Sequence, residues 1–140
     1  AELNTIIRHA IAIFDLPYIR FESKQEQICL WVDKNQMNRM LTNLLKNAIY
    51  ATDNIPDPLI EVTTYVIGDF AYIVVKDNGS GVPPELQERI FEPKFTTKNT
   101  AGSGLGLTMV KHIINAHGGT ITLNSEVGKG ATFTVELKIR

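Results

Sequence analysis

Apolar residues at Leu3, Ile6, Ile7, Ala10, Ile11 and Phe14 recur at three- and four-residue steps, the spacing of one helix face. Pro17 ends that helix. The segments Tyr18 to Glu22 and Gln27 to Val32 alternate or run apolar around the polar stretch Ser23 to Glu26, so they read as two short strands and a turn. Asp33 stands at the N-cap position of a second helix, from about Asn35 to Thr52, whose apolar face is Met37, Met40, Leu41, Leu44, Leu45 and Ala48. The prolines at 56 and 58 stop it. Leu59 to Val66 and Phe70 to Asp77 are rich in Val, Ile, Thr and Tyr and flank Gly68-Asp69, which predicts a hairpin.

Between Asn78 and Ser103 the periodicity disappears. Prolines stand at 83, 84 and 93, and only Glu85 to Ile90 looks helical. A loop of this length in a compact domain is usually functional. A third long helix begins near Gly104 and ends at His117-Gly118-Gly119, a glycine C-cap signal. Thr120 to Asn124 and Ala131 to Ile139 then form a last hairpin around Gly128-Lys129-Gly130. This order predicts an α+β fold, a two-layer α/β sandwich. Its sheet is mixed, about five-stranded and mostly antiparallel, with three helices packed on one face. Ile73, Val75 and Asp77 share one strand face, as do Phe133, Val135, Leu137 and Ile139.

Composition adds exclusions. The 140 residues suit a single domain with its own core. A net charge of −1 lacks the basic excess that a nucleic-acid surface needs. Cys29 is the single cysteine, so no internal disulfide forms, and a reducing, cytoplasmic setting is the simplest expectation. No apolar run approaches the ~20 residues of a membrane span, and no leader opens the chain. It begins inside an amphipathic segment, as expected of a piece of something longer.

Four clusters carry candidate chemistry. Asn43 and Asn47 stack on one side of the second helix, at the edge of its apolar stripe. Such asparagines are poor interior helix residues; they either bond a neighbouring loop or aim a carbonyl oxygen at a hard cation such as Mg²⁺. In Asp77-Asn78-Gly79-Ser80-Gly81 the carboxylate ends a hydrophobic strand and points inward. It either closes an Asx turn or waits for a donor such as the exocyclic amine of adenine, since an unpaired buried carboxylate is expensive. Gly79 and Gly81 let backbone approach a flat ring. Phe91-Glu92-Pro93-Lys94-Phe95-Thr96-Thr97-Lys98 is either a solvated basic loop anchored by its aromatics or a lid. In the second case Thr96, Thr97 and Lys98 reach phosphate oxygens. Gly102-Ser103-Gly104-Leu105-Gly106-Leu107 runs into a helix N-terminus, a potential anion site; it is neither a dinucleotide fingerprint nor a Walker A loop.

In this order the four clusters resemble the nucleotide-binding boxes of the GHKL superfamily, in the version found in sensor histidine kinases of two-component systems. Asn43 to Ala48 is similar to an N box and Asp77 to Gly81 to a G1 box. Phe91 to Phe95 resembles an F box and Gly102 to Leu107 a G2 box. The resemblance implies that Asn47 coordinates Mg²⁺ and Asn43 polarises the γ-phosphate site. It implies that Asp77 receives the adenine amine between Gly79 and Gly81. The segment from Phe91 to Gly102 becomes the ATP lid, and Gly102, Gly104 and Gly106, with Leu105 and Leu107, hold the phosphates. Lys98 is implied as a γ-phosphate contact, and Thr132 as the hydroxyl nearest the adenine, although Ala131 stands where many relatives have Ser or Thr.

Hydrolytic members of the superfamily carry a glutamate at the position of Asn43; an amide cannot act as a general base, which favours phosphoryl transfer. The alternatives of the same fold are an ATPase and a serine-kinase anti-sigma factor, and of another class a binding module gated by ATP. None of His9, His112 and His117 has a phosphoacceptor context, so the resemblance implies an acceptor histidine on a separate dimerisation domain of the parent protein. The resemblance further implies a response regulator receiver domain downstream, a homodimeric parent and a monomeric isolated domain. Whether the parent is anchored in the inner membrane stays open.

Overall fold

The computed structural model describes residues 1–87, 89–91 and 105–139. Helix α1 (Leu3–Phe14) is followed by strand β1 (Ile19–Ser23), helix α2 (Lys34–Ala51), strands β2 (Ile60–Ile67) and β3 (Phe70–Asp77), the single-turn helix α3 (Pro84–Gln87), helix α4 (Leu105–Ala116), and strands β4 (Thr120–Glu126) and β5 (Gly130–Lys138). The five strands form one sheet in the order β1-β2-β3-β5-β4. Every pair is antiparallel except β1 with β2. The α+β sandwich expected from the pattern is therefore present, with a fourth, single-turn helix.

Local signals set the element ends. Asp33 caps α2 by accepting from the Gln36 N–H at 3.0 Å, as its position predicts. The apolar stripe of α2 is buried throughout and that of α1 as far as Ala10, with Ile11 and Phe14 half-buried and Leu3, Met37 and Met40 at 0% exposure. Burial alternates along β3 and β5, so one face of each joins α1, α2 and α4 in a single core.

One pairing departs from the pattern. Gln27 to Val32 does alternate, with Ile28 and Leu30 buried, but it is no sheet strand. It runs beside the start of α1, where the Leu3 N–H donates to the Ile28 carbonyl and the Leu30 N–H to that of Ala1, both at 2.8 Å. β1 takes β2 as its parallel neighbour instead, from Ile19↔Ile60 to Ser23↔Thr64. A parallel pair needs a crossover, and α2 supplies it. Alternation reports that one side of a segment is buried; it does not name the neighbour.

Asn4 is a fully buried polar residue in the first turn of α1. Its side-chain amide donates to Ser23 Oγ (3.0 Å) and to the Gln25 carbonyl (2.9 Å), while its oxygen accepts from Thr64 Oγ1 at 2.8 Å. This knot ties α1 to β1, β2 and the turn after β1. Removing Asn4 leaves several buried partners unsatisfied. Asn4→Ala is therefore expected to lose about 2–3 kcal/mol of stability in urea titrations, whereas Ile13→Ala on the exposed side of α1 should change it by less than about 0.5 kcal/mol.

Candidate functional site

The site is built at the end of β3. Asp77 is the last residue of that strand and is 2% exposed. Its face is the core face, as the period of two predicts, because Ile73 and Val75 precede it there. The sequence alone suggested a carboxylate without partners, and the structure corrects this. The Gly79 N–H donates to its Oδ1 at 2.8 Å, and the backbone N–H of Ala131, its cross-strand partner, also donates to it. Burial raises the carboxyl pKa above the ordinary aspartate value, and those two amides act in the opposite direction. Both partners are neutral dipoles, so the carboxyl oxygens keep further acceptor capacity.

The backbone around it is drawn tight. A Cβ on Gly79 would collide with the Ala51 carbonyl oxygen at the end of α2, and one on Gly81 with that of Glu126 in β4. Gly81 also has φ +77°, a region that side chains with a Cβ disfavour. The loop is clamped on both flanks. The Ser80 N–H donates to Ala51 O (3.4 Å), the Gly128 N–H to Ser80 O (2.8 Å) and the Val82 N–H to Ser125 Oγ (2.7 Å). Asn78 turns the other way: its amide donates to the Asp57 carbonyl at 2.8 Å and its oxygen accepts from the Leu59 N–H at 2.9 Å. The Asx-turn alternative thus holds for the Asp77 to Gly79 bond, and the inward carboxylate holds as well.

Asn43 and Asn47 are both half-buried on α2, at the edge of its buried stripe. Asn43 Nδ2 donates to Met109 Sδ of α4 at 3.4 Å, and Arg39 Nη2 approaches the same sulfur at 3.3 Å. At the other end of the pair the Asp33 N–H donates to His117 Nε2 at 3.2 Å. Numbers rise along α2 as they fall along α4, so the helices are antiparallel. At about 1.5 Å rise per residue, continuing that register brings the first turn of α4 level with Asn43 to Asn47.

Leu105 and Gly106 belong to that first turn, and Leu107 is half-buried against the core. Phe91 packs edge-to-face on Phe133 with centroids 6.2 Å apart. Its carbonyl accepts from Thr108 Oγ1 at 2.9 Å, and Lys111 Nζ lies 5.4 Å from its ring centroid. Phe91 is thus anchored beside α4, whichever role its loop has. Thr96, Thr97, Lys98, Gly102 and Gly104 lie outside the described residues. Thr132 does not join the site: it pairs across the sheet with Lys76 and Asn124, on the face opposite Asp77, and Ala131 occupies the Asp77 face. Sequence reasoning missed the backbone of Ala51, Ala131 and Gly130, where a Cβ would strike the Asp77 carbonyl oxygen. The second glycine of Gly128-Lys129-Gly130 was the available signal, since a tight turn there needs only one.

Residues 32–140 match the family described as histidine kinase-, DNA gyrase B-, and HSP90-like ATPase. The chain belongs to this family. Among similar proteins of this ATPase family, the sensor histidine kinase ZraS of Escherichia coli (strain K12) is 35% identical over 99% of the chain. A putative NtrY-like sensor histidine kinase of Rickettsia conorii is 33% identical over the whole of this chain. The chain spans only 30% and 24% of those two proteins. The solved catalytic domain of the histidine kinase ThkA aligns over 99% of the chain and 95% of its own, with 32% identity and a TM-score of 0.87. Full-length ShkA, solved in complex with AMPPNP, is 26% identical and covers 98% of the chain with a TM-score of 0.86, although the chain covers 30% of it.

Because Asp77 holds its proton to higher pH folded than unfolded, its buried charge weakens the fold at neutral pH. That penalty shrinks as pH falls through the folded pKa and vanishes below the unfolded one. Asp77→Asn is expected to unfold at higher urea than the parent at about pH 7.5, with the gap closing as pH is lowered towards about 4. A gap that widened on acidification would mean that the site stabilises the charged form.

Proposed function

We propose that residues 1–140 form one catalytic unit that binds Mg·ATP and passes the γ-phosphoryl group to a histidine on a separate dimerisation domain. The observation that carries the reading is the buried Asp77 carboxylate, held only part-satisfied by neutral amides between glycines that leave no room for a Cβ. A flat base carrying an amino group fits that position: the amine donates to the carboxylate, and the glycine backbone lies against the ring. Specificity follows, because a base lacking that amine would leave the carboxylate buried against nothing.

The phosphate end of the proposed site lies towards α2 and the start of α4. Asn47 offers a carbonyl oxygen to magnesium, which when bound would neutralise charge between the phosphates. With its amide nitrogen on Met109, Asn43 has its oxygen left to orient neighbouring groups. An amide at that position takes no proton from water, so the chain positions and stabilises without activating a hydrolytic nucleophile. Gly102 and Gly104 are assigned to the amides at the head of α4, and Thr96, Thr97 and Lys98 to the phosphate contacts of the lid, on the strength of their motifs. The acceptor domain brings the nucleophile, so the active site is completed by another part of the parent protein.

That parent is proposed to be a homodimeric sensor histidine kinase handing its phosphoryl group to a response regulator receiver domain; the names of the similar proteins support this. Among the described residues no helix is long and apolar enough to cross a membrane. The exposed Cys29 suits a reducing, cytoplasmic setting for this portion.

Asp77→Asn replaces an acceptor by a group that offers the amine a donor. It should weaken a fluorescent ATP analogue by about 100-fold or more while leaving the circular dichroism spectrum unchanged; unchanged affinity removes the adenine role. Mixed with a histidine-bearing dimerisation domain and ATP, the chain should produce acid-labile, base-stable phosphate on that domain. Rapid release of inorganic phosphate with no such adduct would identify an ATPase instead.

A further inference from the structure

We propose that His117 is a positioning residue that sets the register of α4 against α2, and so holds the phosphate-facing start of α4 beside Asn43 and Asn47. The inference rests on the nucleotide reading above. It starts from an unusual pair of hydrogen bonds at the far end of the two helices. His117 Nδ1 lies 2.8 Å from the Ile113 carbonyl oxygen, one turn back along α4. A carbonyl only accepts, so Nδ1 carries the proton, and the other ring nitrogen is then bare. That bare Nε2 accepts the Asp33 N–H at 3.2 Å. One neutral tautomer satisfies both bonds.

The donor is well placed. Asp33 is the N-cap of α2, with its side chain on the Gln36 N–H and its carbonyl on the Met37 N–H. Its own N–H points out of that cap towards α4. The ring thus joins the residue that follows one helix to the N-cap of the other, 84 positions apart in the chain.

Arg39 and Asn43 of α2 also reach the Met109 sulfur of α4, and thioether sulfur is a weak acceptor. Apolar packing between two helices tolerates a small slide; a directional bond at one end resists it. A helix is stiff over 12 residues, so a slide at His117 would appear at Leu105 as well. There it would move the amides at the head of α4 relative to the asparagines of α2. The adenine end would be untouched, because Asp77 is held by β5 and its own loop.

Two conservative substitutions separate the bonds. In His117→Gln the side-chain oxygen reaches about as far as Nε2 and keeps the Asp33 bond. In His117→Asn the amide reaches only as far as Nδ1 and keeps the Ile113 bond. If register is what matters, the Asn variant should bind Mg·ATP about 5- to 10-fold more weakly, the worth of one directed hydrogen bond. The Gln variant should stay within about 3-fold of the parent, and adenosine should bind all three alike. Long-range ¹H–¹⁵N spectra of the parent chain should show His117 protonated on Nδ1 at neutral pH. Equal Mg·ATP affinities for both variants, equal losses of adenosine and Mg·ATP, or a proton on Nε2 would each overturn the inference. A parent chain that binds no Mg·ATP would instead overturn the nucleotide reading, and with it the purpose assigned to His117.

Discussion

A carboxyl group buried at the end of a core strand is the constraint around which this site is arranged. Asp77 sits at the inner end of the central strand β3, and burial disfavours its ionised form. A cation beside it would relieve that cost and also occupy it. Two backbone N–H groups relieve it in part and leave oxygen lone pairs to accept more. Holding those amides in place requires backbone packed against backbone: Gly79 on the end of α2, Gly81 on β4 and Gly130 on the Asp77 carbonyl. A Cβ at any of these three positions would push apart the segments that define the pocket. The site therefore draws on the stability of the rest of the sandwich, in the manner common for groups tuned for function.

The remainder of the fold separates holding from chemistry. The Asn4, Ser23 and Thr64 knot binds α1 to β1 and β2, away from the loop that follows Asp77. The antiparallel pair α2 and α4 then carries the phosphate half of the proposed site. α2 bears the two asparagines, and α4 begins at Leu105, within the glycine-rich motif. Because these groups come from two helices and a strand end, their relative position is a property of tertiary packing. Small shifts between the helices would change what a phosphate chain meets without unfolding anything.

Within a family whose description spans kinases and ATPases, the same nucleotide pocket can serve different chemistries, so the identity of single residues at the phosphate end matters most. On the proposed reading that residue is Asn43. Its amide is engaged by Met109 and has no proton-accepting capacity suited to activating water. A domain that positions ATP while contributing no base is suited to giving its phosphoryl group to an acceptor supplied from elsewhere. On the proposed reading, transfer would then depend on docking between domains, which is where a signal can act.

Much of this was legible along the chain. Period-3.6 and period-2 burial set the apolar faces of α1, α2, β3 and β5, because burying one side of a regular element imposes its repeat on the sequence. The inward direction of Asp77 and the half-buried edge positions of Asn43 and Asn47 followed from the same geometry. What the chain could not disclose was partnership. The alternation in Gln27 to Val32 was real but served contact with α1, and β1 found its neighbour in β2 across a helical crossover. Likewise, nothing local distinguishes Thr132 from Ala131 as the residue facing Asp77, or ties His117 to Asp33. Those choices are made when distant segments meet, since hydrogen-bond partners are fixed by where backbones come together in space and a linear pattern records only which side of each segment is covered.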